Sequence, residues 1–247
     1  MESEILVLSL AVFGASALQS ATGIGFGVIA GPVLLVVLND STAIQISIVL
    51  NLLIAVFLAP SLRQSADRRL LGSLLIGLAI GSPVGLLIYL SMDIALLKGF
   101  AGLVVFFTLM AMLRNGSRAS SSSSGAATGK IEQITVGIVA GTMGGSLAMP
   151  GPVPAAWMLA RGFDKETIRA TILVMFVFAY VIALMLQIAL AGISANTMKL
   201  CAVLAPSTVA GIIVGHFLSS RISEQTFRWT LVITLASTVV ILLSTIG

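Results

Sequence analysis

Apolar positions run along this chain in long blocks and do not alternate with polar ones. Six blocks, residues 43–60, 70–90, 94–113, 167–190, 197–218 and 227–246, each approach the length of one membrane span. A helix needs about 20 residues to cross about 30 Å of hydrocarbon. Two further blocks, 5–38 and 131–160, are too long for one simple span and too short for two. Residues 5–38 carry no charge, yet Gly23, Gly25, Gly27, Gly31 and Pro32 stand in their second half. The pattern predicts an all-α polytopic membrane protein of eight hydrophobic segments, two of them broken part-way. Composition agrees: 58% of residues are hydrophobic and 9% charged, with a mean hydropathy of +1.13. Soluble domains carry about a quarter charged residues, and here almost no chain is left over to build one.

The start of the chain, Met1-Glu2-Ser3-Glu4, lacks the basic region of a signal peptide, so the first segment is expected to be retained. Residues 114–130 are the one polar, Ser- and Gly-rich stretch, and such composition predicts a flexible linker. It divides the chain into repeats at 1–113 and 131–247. Gly31-Pro32-Val33 matches Gly151-Pro152-Val153 at an offset of 120, with Gly25 over Gly145 and Thr22 over Thr142. At an offset of 130, Gly81 and Gly85 fall over Gly211 and Gly215, and Lys98 over Arg228. Each half reads as one broken segment followed by three spans.

The net charge of +4 belongs to the loops, where it reports orientation and gives no reason to expect a nucleic-acid partner. If 131–160 crossed the membrane once, the Lys and Arg residues would divide seven against six. If it enters, turns and leaves on the same side, they divide eleven against two, with only Lys98 and Lys199 on the poor side. Cytoplasmic loops carry such an excess, so a re-entrant hairpin is expected. Extending the repeat to 5–38 makes each half a hairpin plus three spans. The halves are then inverted, with a cytoplasmic linker and both termini outside, an architecture that recurs in secondary transporters.

Irregular backbone at membrane depth survives only where protein or a water-filled cavity covers it. The N-terminus of a half-helix there presents N–H groups and partial positive charge, which suit an anion. In the first half Gly23, Gly25 and Gly27 let backbone approach a ligand, with Thr22, Phe26 and the preceding Gln19 beside them. In the second half Thr142, Gly144, Gly145, Ser146, Gly151 and Pro152 offer the same. Asn51 on the next span and Arg169 at the cytoplasmic side complete the candidate substrate-binding set. Two alternatives stay open. Small residues also permit close helix packing, and Arg161 and Arg169 serve equally as cytoplasmic anchors or as an anion-attracting vestibule. His216, the one histidine, is either locally bonded or a proton carrier.

No Asp or Glu stands inside a span, which argues against a cation antiporter built on a carboxylate relay. Gly144-Gly145-Ser146 is similar to the serine motif of intramembrane proteases, but Leu147 stands where that motif needs glycine. No HExxH, paired aspartate or phosphate loop is present, so no enzyme activity is expected. The single Cys201 excludes an internal disulfide and a Cys-based metal cluster, and neither a metal nor a cofactor is expected.

The stretch Gln19-Ser-Ala-Thr-Gly-Ile-Gly-Phe-Gly leading into Gly31-Pro-Val-Leu-Leu resembles the first signature of the TauE/SafE sulfite exporter family. Gly141-Thr-Met-Gly-Gly, Gly151-Pro-Val-Pro and Arg169-Ala-Thr-Ile-Leu resemble its second signature. The resemblance covers almost the whole chain. Phe26 interrupts the first glycine cluster, and Ser146-Leu-Ala-Met-Pro150 replaces part of the second. The resemblance implies export of small sulfur-containing anions, sulfite or organosulfonates, across a prokaryotic cytoplasmic membrane. Alternating access around the hairpin tips, driven by the proton or the electrical gradient, would serve this purpose. An anion leaving a cell negative inside gains about 2.3 kcal/mol per charge per 100 mV. An anion channel, a permease for another small organic anion and a non-transporting scaffold are the competing expectations. The expected partners are the anion and the lipid bilayer, and the sequence leaves room for a homo-oligomer.

Overall fold

A computed structural model describes residues 2–115 and 129–219, together with Trp229, 232–233 and 236. Most of the linker and most of the last hydrophobic segment, 227–246, lie outside the described residues. Among the described residues there is no strand, and the helices run in the order α1 (Glu2–Thr22), α2 (Phe26–Leu38), α3 (Thr42–Leu62), α4 (Arg68–Ser91), α5 (Ile94–Asn115), α6 (Lys130–Leu147), α7 (Pro152–Ala160), α8 (Lys165–Leu190) and α9 (Ala195–Ser219). Both over-long blocks are split, 5–38 into α1 and α2, and 131–160 into α6 and α7. Among the described residues five helices, α1, α3, α4, α8 and α9, are long and apolar enough to cross a membrane. Their outer faces stay apolar, with Leu87 63% and Phe217 70% exposed. Side chains of that kind belong against lipid.

Short polar signals set the helix boundaries. Asp67 caps α4, its carboxylate accepting from the N–H groups of Arg69 and Leu70. Asp164 caps α8 through the N–H and hydroxyl of Thr167. Partial burial alone would raise the Asp164 pKa, but these bonds favour the anion and hold it below the ordinary carboxylate value. Between α2 and α3 the chain turns on Asn39, a residue that tolerates the left-handed conformation it adopts at φ 45°.

Two helix pairs hold the bundle together, and they are built alike. Gly77, Gly81 and Gly85 of α4 press onto the carbonyls of Ile134, Ile138 and Thr142 of α6, so closely that any side chain there would collide. Gly211 and Gly215 of α9 press in the same way onto the carbonyls of Phe13 and Ala17 of α1. In both pairs the numbering rises together, so the helices run parallel. Without a hydrophobic drive between helices in lipid, close backbone contact of this kind supplies the attraction.

Side-chain bonds sort the helix ends. At one end of the bundle Lys98, at the start of α5, donates to Asn39 after α2 (3.1 Å). There too Gln45, at the start of α3, donates to Gln187 (3.2 Å) and to the Gly192 carbonyl (2.9 Å), both at the end of α8. At the other end Ser65 after α3 donates to Glu166 of α8 (3.3 Å). Glu132 in the first turn of α6 pairs there with Arg161, which follows α7. The same Glu132 accepts from the Trp157 indole (2.8 Å), and Arg161 lies over that ring. So α7 ends where α6 began. Because α1 runs parallel to α9, and α9 starts where α8 ends and α3 starts, α2 likewise ends on the side where α1 began.

Candidate functional site

Both chain breaks lie inside the bundle. Residues 19–28 are all buried, as are 143–152, and the breaks face one another. A side chain on Gly27 would start 2.6 Å from the Ala148 carbonyl oxygen and 3.3 Å from Met149. One on Gly151 would start 2.6 Å from the Phe176 ring and 3.7 Å from Ile24.

The first break is turned by glycine and sealed by polar side chains. Gly23 and Gly25 adopt φ 87° and 152°, a region open to glycine and strained for other residues. Gln19, in the last turn of α1, spans the gap. Its Nε2 donates to Asn51 Oδ1 (2.9 Å), and its Oε1 accepts from the Phe26 N–H (3.0 Å), the first donor of α2. Asn51 stands near the middle of α3 and itself donates to the Ser47 carbonyl (2.9 Å). The Thr22 hydroxyl lies between the carbonyls of Leu18 (2.8 Å) and Ile24 (2.6 Å). Arg169 of α8 closes the structure from below. Its Nε (3.1 Å) and Nη2 (2.6 Å) both donate to the Ser20 carbonyl, and its Cα packs on Gly23. A guanidinium there satisfies a terminal carbonyl of α1 and complements the negative end of that helix.

The second break is built differently. Ala148 follows α6 in the left-handed conformation (φ 56°). The Met149 N–H bonds back to Met143 and the Ala148 N–H to Gly144 (both 3.2 Å), a left-handed helix terminus normally given to glycine. Gly144 leaves room for the returning Pro150 ring. Pro152 then opens α7 at its first position, where its missing N–H costs nothing. With Pro154 two positions on, α7 offers few free N–H donors at its start. Aromatic rings do the sealing: Tyr180 OH donates to the Ala148 carbonyl (3.2 Å), and Phe176 packs edge-on against Tyr180.

The candidates therefore divide. Gln19, Thr22, Gly23, Gly25, Phe26, Gly27, Asn51 and Arg169 converge on the first break. Gly144, Gly151 and Pro152 shape the second, and the buried Ser146 hydroxyl bonds to the Thr142 carbonyl (2.7 Å). Thr142 and Gly145 face α4. The Thr142 hydroxyl lies near the carbonyls of Ile138 (3.0 Å) and Gly81 (3.3 Å), and a side chain on Gly145 would meet the Ser82 carbonyl at 2.6 Å. Arg161 is paired with Glu132, and His216 lies on the exposed face of α9 against Phe217. Phe176, Tyr180 and Met149 were not among the candidates. One signal for Tyr180 was present: a tyrosine in mid-span must find a partner for its hydroxyl. Among the described residues no cluster of metal-ligating side chains occurs.

Long helices with apolar outer faces, packed around irregular chain that is wholly buried, define a multi-pass α-helical membrane protein. The family model of the sulfite exporter TauE/SafE matches residues 8–242, and the chain belongs to that family of membrane transporters. Comparison with curated proteins and with solved structures returned no match.

Proposed function

We propose that this protein exports small sulfur-containing anions, of the sulfite or organosulfonate class, by alternating access around the two breaks. The observation that carries this reading is their meeting: Gly27 against Ala148, and Gly151 against Ile24, in mid-bundle. The start of α2 brings partial positive charge to the meeting point, and Arg169 is the cation beside it.

The two halves act as repeats of opposite orientation, each a re-entrant hairpin plus three spans. Support comes from the like packing of α4 on α6 and α9 on α1, where glycines 130 residues apart press on carbonyls of the helix that opens each half, 125 residues apart. Rocking of one half against the other would open the meeting point first to one side and then to the other. The cytoplasmic side is the end that holds Arg63, Arg68, Arg69, Arg161, Lys165 and Arg169, and the membrane is the cytoplasmic membrane.

Thermal shift of the detergent-solubilised protein tests the substrate class. Among sulfite, sulfate, sulfoacetate, taurine, acetate, phosphate and chloride, a sulfur anion alone should raise Tm. A flat panel, or a rise with acetate or chloride alone, would overturn the assignment.

A further inference from the structure

Several buried hydroxyls on these helices share a habit. Those of Ser16, Ser82, Ser146 and Thr208 each donate to the carbonyl one turn back in their own helix. This satisfies the donor without a tertiary partner. The buried Ser20 hydroxyl instead reaches the Ile212 carbonyl of α9. Ser47 of α3 does neither. It is 0% exposed, and its Oγ has no hydrogen-bond partner. A buried donor left unmade is costly, so such groups call for an explanation.

The Ser47 hydroxyl looks toward the face of α2 that carries Gly27 and Gly31. The point where a Gly31 side chain would start lies 3.9 Å from Ser47 Oγ and 3.2 Å from Met149 Cε. One turn earlier, the matching point on Gly27 lies 3.3 Å from Met149 Cγ. Met149 comes from the opposite break. Its side chain is thus laid along the glycine face of α2, beside an unused donor. A thioether sulfur is a weak acceptor and leaves that donor unsatisfied. Methionine is also unbranched, with freely rotating bonds, so it can be withdrawn at little cost.

We propose that Ser47 Oγ is an anion-contacting donor and that the Met149 side chain plugs its site in this conformation, to be displaced when the breaks separate. The inference deepens the transport reading above and rests on it for the ligand. A lone buried donor without an acceptor asks for an oxygen acceptor, and a compact oxyanion supplies several. Gly27, at the positive end of α2, shares the helix face of Gly31 one turn away.

Two readouts separate this inference from the transport reading. The first needs no substrate. In a Cys201→Ser background, Ser47→Cys is reconstituted in proteoliposomes and exposed to a water-soluble thiol reagent in sulfite-free buffer. With Met149 present, and with Met149→Leu, labelling should be slow. With Met149→Ala it should be at least tenfold faster, in protein that remains monodisperse. Equal rates in all three would overturn the plug.

The second readout is efflux of radiolabelled sulfite. Ser47→Ala should raise KM at least fivefold with little change in kcat, while Tm stays level or rises, because the deleted hydroxyl has no partner. An unchanged KM, or a loss of Tm in its place, would overturn the role of Ser47. Labelling that follows the prediction in protein that moves no sulfite would keep the plug and sink the substrate.

Discussion

The two breaks solve one problem with opposite chemistry. Each must end a helix inside the bundle, turn the chain and start another helix with no water to satisfy the backbone. The first uses glycine for the turn and polar side chains for the seal: Gln19, Asn51, Thr22 and Arg169 each reach a backbone group or one another. The second uses a strained alanine and prolines for the turn, and Tyr180, Phe176 and Met149 for the seal. One side of the meeting point is therefore polar and tightly bonded. The other is apolar and held chiefly by packing. Packing of Gly27 on Ala148 and Met149, and of Gly151 on Ile24, joins the two sides, and the proposed alternating access would part them there.

Substitutions can break the contrast or sharpen it. The largest effect is expected from Gly27→Val, whose side chain would be driven into the Ala148 carbonyl. It should cost about 3 kcal/mol, the upper end for overpacking, and abolish sulfite flux. Expression, size-exclusion profile and flux together check this. Next comes Gln19→Leu, which strands the Phe26 N–H and the Asn51 carbonyl oxygen at once. At about 1–3 kcal/mol for each stranded group, it should lower Tm more than any single polar deletion at the second break. Tyr180→Phe is the counterpart there. It removes one hydrogen bond from a carbonyl and should cost about 1 kcal/mol. If Tyr180→Phe proved the more damaging of the two, the contrast between polar and apolar seals would be wrong.

The smallest effects are opposite in sign. Ala148→Gly relieves a left-handed alanine and should stabilise the protein by about 1 kcal/mol. Gly23→Ala imposes that kind of strain on the first break and sets a methyl 3.0 Å from the Arg169 backbone. It should destabilise by at least as much. Paired melting curves in one detergent measure both.

Much of this could be read from the sequence, and the reasons are local. Glycine and proline inside the two over-long apolar blocks broke the helices where expected, and the glycines at an offset of 130 each pack on the backbone of a neighbouring helix. The roles of individual small residues were less legible. Gly145 and Gly151 look alike in sequence, yet one packs on α4 and the other meets the opposite break. Which face a glycine presents depends on a partner helix that local pattern does not reveal. Arg169 was read as a substrate contact, an anchor or part of a vestibule, and nothing in the local pattern showed that its side chain also ends α1 across 149 residues of chain. Ser47 was invisible, because a serine within a span looks like any other until its missing bond is seen.

The central claim is that a small sulfur anion passes where the two breaks meet. Efflux of radiolabelled sulfite from proteoliposomes tests it most directly, with wild type set beside Arg169→Gln and protein-free vesicles. The account predicts saturable efflux from wild type, unaffected by chloride and reduced at least tenfold in Arg169→Gln. Efflux no faster than from protein-free vesicles, or a flux that never saturates, would contradict it.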